Sequence, residues 1–295
     1  MILIGAFLSF ILFGIILSQA LEYMQSCEED LLWQKAFVGT LVTLDALSTA
    51  LVMVWMYRLF IDGWGDLTAF ETGTWLLASD PMLAGIIACM VQLFFAWRLQ
   101  IISKQWWLTA FIAICSVATV CGAVGTGIAV LWVEKFTLFQ TFEPIVIVWE
   151  VSGVVADVTI AIAMTYYLRR YRGSFEATDR LLDRIILLTL QNGSLTAVVA
   201  IVDLALYLAT PKPYHIFLLF LMPKLYSNSV LSSLNARTSR RLLADATVDL
   251  QVGRRSADAS AFSSIPSSAG DPKRPKVFVE IHEMTDSDSM ERSKC

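Results

Sequence analysis

Charge is what this sequence has least of. Asp, Glu, Lys and Arg make up 16% of its 295 residues, against about 25% in a soluble domain. So little charge, set beside 56% hydrophobic residues, excludes an ordinary water-facing globule and points to a membrane. The two histidines, His215 and His282, are too few for a multi-histidine membrane metal site. Five cysteines, Cys27, Cys89, Cys115, Cys121 and Cys295, form neither a CxxC nor an even-numbered loop cluster. They read as free thiols, not as a zinc site or disulfide framework. No phosphate-binding glycine loop, HExxH or nucleophile elbow occurs. The expectation is a protein that is not an enzyme, holds no metal or cofactor, and has no nucleic-acid partner.

Long hydrocarbon runs are what the sequence does hold. Crossing a core of about 30 Å takes a helix of about 20 mostly apolar residues. Seven such runs occur, from Ile2 to Leu21, Ala36 to Tyr57, Leu76 to Trp97, Trp106 to Trp132, Pro144 to Leu168, Ile185 to Leu208, and Tyr214 to Leu234. They do not alternate polar with apolar residues as barrel strands would. The fold class expected is therefore all-α, a seven-transmembrane-helix bundle over residues 1–240, with the bilayer as its first partner. Asp80-Pro81 and Glu143-Pro144 place a proline where a first helical turn tolerates one. Tyr57, Trp97, Trp106, Trp107, Trp132, Tyr166 and Tyr167 gather at span ends, where amphipathic rings suit the headgroup region.

Lysine and arginine set the expected orientation. The loops after the first, third and fifth spans hold eight: Lys35, Arg98, Lys104, Arg169, Arg170, Arg172, Arg180 and Arg184. The loops after the second, fourth and sixth hold three, Arg58, Lys135 and Lys212. The positive-inside rule then puts the N-terminus outside and the C-terminus in the cytoplasm, with the plasma membrane favoured over an internal one. Ser18-Gln19-Ala20 resembles a signal-peptide cleavage site. Cleavage there would turn the five-arginine loop outward, and the run lacks a basic n-region, so the first span is expected to stay. Residues 241–295, rich in Ser, Asp and Arg, read as a disordered cytoplasmic tail that cannot bury enough apolar area to fold. "KVFVEIHEM" within it reads as a solvated segment, and Ser256, Ser287 and Ser289 are candidate phosphorylation sites.

Four separated stretches carry a resemblance: "DALSTALVMVWMYRLFIDGWGD", "VQLFFAWRLQIISKQWW", "IAMTYYLRRYRGSFEATDRLLDRIILLTLQNGSLTAVVAIVDL" and "KLYSNSVLSSLNAR". Together, over roughly residues 1–240, the chain resembles a family of integral membrane proteins from mushroom-forming fungi, a domain of unknown function. The resemblance implies a seven-span fold and a fungal origin, and no ligand, reaction or catalytic residue. Members of that family often carry a few polar residues before the first span. Here hydrocarbon follows Met1 directly, as in a truncated gene product.

Ionisable residues inside the runs are the candidate site. A charge in hydrocarbon costs at least ~2.5–3.5 kcal/mol on insertion scales and usually faces the bundle interior with a partner. Helical spacing groups Asp45 with Ser48 and Thr49, Glu150 with Gly153 and Asp157, Asn192 with Thr196 and Asp203, and Lys224 with Ser227, Asn228 and Asn235. Four spans would thus turn polar stripes to one interior. At ~1.5 Å of rise per residue, Lys224 lies about 12 Å below the outer boundary and Asp203 about 8 Å. The short loop between the sixth and seventh spans makes Asp203 the first choice of partner for Lys224, ahead of Glu150 and Asp157. The set reads either as a buried ion pair that fixes packing or as an outward-facing pocket.

Smaller features have plainer readings. No opsin-like pattern surrounds Lys224, which argues against a retinal Schiff base, and Pro223 reads as a kink. In the fourth span, Ala118-Gly122-Thr126 and Cys121-Gly125-Ala129 read as rows for close packing within the bundle rather than as a homodimer face. Asn192-Gly193-Ser194 is a glycosylation sequon buried in a span and so unused. The arginines after the fifth span satisfy topology, and they could also contact a cytoplasmic signalling partner or anionic lipid. The function expected is receptor-like or sensor-like with an unknown small ligand. The alternative is a transporter or ion-translocating protein, although no internal repeat supports it.

Overall fold

The computed structural model describes residues 1–26, 30–64, 74–133, 143–170, 176–209 and 216–236, with side chains undescribed for 176–192. The chain divides into units Met1–Ala244 and Asp245–Cys295. The second, with Ser256, Ser287 and Ser289, lies outside the described residues, as do Arg172 and the side chains of Arg180, Arg184 and Asn192.

Among the described residues every regular element is a helix. They are α1 (Ile2–Ser26), α2 (Leu32–Tyr57), α3 (Trp75–Ser103), α4 (Trp106–Val133), α5 (Glu143–Arg170), α6 (Glu176–Ala209) and α7 (Ile216–Ala236). Six of the described helices are long and apolar enough to cross a membrane, and α6 contributes a further apolar stretch, Gly193–Ala209. The result is an all-α bundle whose outside is apolar. Phe7, Ile11, Ile114, Val117, Ile162 and Val198 are exposed, whereas Asp45, Asp80, Glu150, Asp157, Asp203 and Lys224 are buried. That inversion of the soluble pattern is what hydrocarbon selects, because each helix satisfies its own backbone and presents apolar side chains to lipid. Trp106, Trp107, Trp132 and Tyr166 at helix ends are exposed, as interfacial rings should be.

The helices run up and down. Gly5 of α1 approaches α7 so closely that a Cβ there would lie 2.9 Å from Phe217 Cα. The start of α3, the end of α2 and the start of α7 share one apolar cluster holding Leu76, Trp55 and Phe220. This is the Gly5 end of the bundle. At the other end α3 turns into α4 through Lys104, whose left-handed backbone (φ 55°) closes α3 with its N–H on Gln100 O at 3.0 Å.

Several boundaries differ from the sequence reading: Lys35, counted with a loop, lies inside α2, and Pro81, expected in a first turn, lies beyond the first turn of α3. Arg98, counted with a loop, lies inside α3, buried, with its guanidinium donating to Ser233 Oγ. α6 begins at Glu176, so Arg180 and Arg184 belong to a helix and not to the connection after α5. Polar first turns such as "EATDRLLDR" still form helix when they can project beyond hydrocarbon. α2 continues through one π-helical turn, Arg58–Asp62.

Pro223 does interrupt α7. Residues 216–219 are helical, 220–221 form a turn, and 222–236 are helical again. Proline supplies no N–H and its ring meets the carbonyl one turn back, so the break falls one turn N-terminal to it. In α4, the row containing Gly122 packs inside the bundle: a Cβ there would lie 2.9 Å from the Trp149 backbone of α5. On the other row Cys121 is exposed, while Gly125 also lies against α5, a Cβ there falling 3.0 Å from Ile145 Cγ2.

Candidate functional site

α7 is the element from which the polar interior is built. Its side chains reach α1 through Asn235 Nδ2 donating to Gln19 O at 2.8 Å, α2 through Lys224, α3 through Ser233, and α5 through Tyr226. Residues on opposite faces of α7 therefore enter different clusters.

Lys224 has no solvent exposure and points at α2. Its Nζ donates to Asp45 Oδ1 at 3.2 Å, to Asp45 O at 3.0 Å and to Ser48 Oγ at 3.3 Å. Ser48 Oγ donates in turn to Asp80 Oδ1 at 3.4 Å, which joins α3 to the cluster. Phe13 of α1 lies beneath the ammonium, its ring centroid 5.7 Å from Nζ. This corrects the expected partner. Asp203 precedes α7 by a short connection, but connection length says which helices are adjacent and nothing about which face each presents. Within the unbroken part of α7, Lys224 is about 160° around an ideal helix from Met222 and Tyr226, which line a cavity that shares Trp149 and Glu150 with the one holding Asp203.

On the opposite face, Ile216, Leu219, Met222, Tyr226 and Ser229 recur at helical spacing and line three cavities in series. A second cluster centres on Asp157 of α5. Its Oδ1 accepts from Gln92 Nε2 at 3.0 Å, and its Oδ2 accepts from Tyr226 Oη at 2.8 Å and Thr196 Oγ1 at 3.0 Å. Four helices thus converge on one carboxyl. Charge-accepting bonds of this kind offset the desolvation that burial imposes.

The third cluster lies at the Gly5 end. A cavity of about 40 Å³ is lined by the beginnings of α3, α5 and α7 and the ends of α4 and α6, through residues such as Leu77, Thr126, Val146, Trp149, Leu204 and Leu219. Two carboxyls enter this largely apolar wall: Glu150 and Asp203. Both are buried, to 4% exposure, and Asp203 Oδ1 has no hydrogen-bond partner among the described residues. Among the described residues no Lys, Arg or His lines it. Trp149 is held in this wall by its close approach to Gly122.

Of the residues singled out in the sequence, Lys224 and Asp45 come together, Glu150 and Asp203 come together, and Asp157 stands apart with new partners. Asn228 lies one turn along from Lys224, with its Nδ2 on Lys224 O at 2.8 Å. Arg169 and Arg170 end α5 beside Tyr166 on an open surface groove. Gln92, Tyr226 and Trp149 were not singled out as site residues. A lone amide within the apolar run of α3 was the available signal for Gln92. Tyr226 and Trp149 carry no such signal, since buried aromatics are ordinary core.

The segment that supplies most of these groups has relatives. Residues 153–239 match a family of unknown function (DUF6534). The match begins within α5 at Gly153 and contains Asp157, Thr196, Asp203, Lys224 and Tyr226. It therefore covers most of α5 together with α6 and α7 and leaves out Asp45, Asp80 and Glu150. No curated protein and no solved structure matches the chain.

Proposed function

We propose that this chain is a non-enzymatic, receptor-like or sensor-like membrane protein of seven spans that takes a small ligand at the Gly5 end of its bundle. One observation carries the reading: five helices close around a cavity of about 40 Å³ whose apolar wall holds two buried carboxyls, Glu150 and Asp203. Intramembrane carboxyls without protein partners are costly, and where they occur they usually mark a site. In this reading the N-terminus and the Gly5 end face outward across the plasma membrane. Arg169, Arg170, Arg172, Arg180 and Arg184 then lie on the cytoplasmic side, where a signalling partner or anionic lipid meets them. The Ser/Asp/Arg-rich tail, with Ser256, Ser287 and Ser289, supplies phosphorylation sites on that side.

A second reading, ion or proton translocation, has its own support. The three cavities, of about 40, 10 and 20 Å³, share residues: Trp149 and Glu150 line the first and second, and Tyr226 lines the second and third. By a measure in which one water needs ~10–15 Å³, each is close to water-sized or larger, and the series leads from Glu150 to Asp157. The two readings separate in one pair of measurements on the full chain. Ligand-induced thermal stabilisation without flux in proteoliposomes is the receptor result. A proton or cation flux that falls in Asp157→Asn is the translocation result and overturns the first reading.

A further inference from the structure

We infer that the Glu150–Asp203 cavity is a cation site, and that its guest is a short alkylammonium ion, with the ammonium against the two carboxyls and the alkyl part against the apolar wall. The inference rests on the receptor reading and names the chemistry of its ligand.

The argument begins with charge. The described interior holds two basic side chains, and both are engaged elsewhere: Lys224 with Asp45 and Ser48, and Arg98 with Ser233. Glu150 and Asp203 share one apolar pocket with no basic residue among the described residues of its lining. Asp203 adds an independent sign, because its Oδ1 is fully enclosed and meets no hydrogen-bond donor among the described residues. An unmet acceptor on a side chain that lines a cavity is an invitation to a donor, and a buried carboxyl asks for a charged one.

The wall then narrows the class of cation. A hard divalent ion takes six or more oxygen ligands. Besides its two carboxyls, this cavity offers the neutral side-chain oxygens of Thr126 and Tyr207 and, among the described residues, no further carboxylate or side-chain amide. Most of the remaining lining is hydrocarbon: Leu77, Pro81, Val130, Val146, Leu204, Ile216 and Leu219. An alkylammonium fits both halves, since its N–H groups match the carboxyls and its methylenes replace water at the aliphatic side chains. The rings of Trp149 and Tyr207 add a face on which a cation is stabilised. Size completes the description. At ~10–15 Å³ per water-sized atom, a cavity of about 40 Å³ takes about three heavy atoms, the size of ethylammonium.

The test uses the full chain in nanodiscs and ethylammonium chloride as the probe, with sodium chloride and ethanol at the same concentrations for comparison. The expected result is a saturable rise in unfolding temperature with ethylammonium at millimolar concentration and none with the other two. Asp203→Asn should weaken the response at least tenfold without lowering the unfolding temperature of the unliganded protein. Val146→Phe, which fills the cavity and keeps both carboxyls, should abolish the response, and it carries the test if Asp203→Asn does not fold. Equal responses to ethanol or sodium, or an undiminished response in Asp203→Asn or Val146→Phe, overturn the assignment. If a neutral or anionic compound stabilises the protein at this cavity and ethylammonium does not, the cation class falls while the receptor reading stands. Absence of any stabilising compound, with flux present, removes both.

Discussion

Lys224 Nζ and Asp45 Oδ1 meet at 3.2 Å with both side chains wholly buried. The pair ties α7 to α2 across a large sequence separation, at the centre of a bundle whose outer faces are apolar. Two opposite charges taken out of water together lose hydration that their attraction only partly restores, but removal of one partner leaves the other without any compensation.

That asymmetry predicts the outcome of a double-mutant cycle. Lys224→Met and Asp45→Leu are each expected to destabilise the bundle by about 3–5 kcal/mol. The double variant should be more stable than either single one. Thermal unfolding in nanodiscs reads this directly, and strictly additive losses would show that the two residues do not act as a pair.

Tyr226 donates to Asp157 Oδ2 at 2.8 Å while Thr196 and Gln92 serve the same carboxyl. Tyr226→Phe removes one of three donors and should cost about 1–3 kcal/mol. Asp157→Leu leaves three buried donors without their acceptor and should cost more. Chemical denaturation of the two variants compares them, and equal losses would mean that the carboxyl is not the centre of the cluster.

Close approach of α4 to α5 depends on Gly122, where a Cβ would lie 2.9 Å from Trp149 backbone atoms. Gly122→Val is expected to separate the helices at a cost of about 1–3 kcal/mol. It should also weaken any ligand response at the cavity, because Trp149 lines it. Gly14→Ala, at a position with nothing within 4 Å, is the matched control and should be neutral or mildly stabilising. A comparable loss there would show that the cost at Gly122 does not come from close packing against Trp149.

Topology is tested by glycosylation. A sequon inserted at residues 136–140, between α4 and α5, should be glycosylated in a eukaryotic host. One inserted at Lys104 and Gln105, between α3 and α4, should stay unmodified. The reverse pattern would invert the positive-inside assignment.

Much of the architecture was legible in the residues. An apolar run with few charges has little choice in a bilayer but to form a helix, and Pro223 was readable as a kink in one. Helix limits were less legible, as at α6, because a polar first turn can form outside the hydrocarbon as readily as a loop. That the buried acids and Lys224 face inward was also readable, since a charge exposed to lipid is too costly to keep. Their grouping was not. Lys224 was expected beside Asp203 on the strength of a short connection, and it pairs instead with Asp45 of α2.

The sequence by itself determined that this is a helical membrane protein with a polar interior, because composition and periodicity are local properties that hydrocarbon reads directly. Only the tertiary structure decided that this interior is divided, with Lys224, Asp45 and Asp80 on one side of α7 and Glu150, Asp157 and Asp203 on the other. The reason is helical phase. A rotation of one helix by a fraction of a turn changes every partner it meets, and that rotation is set by the packing of all the helices together.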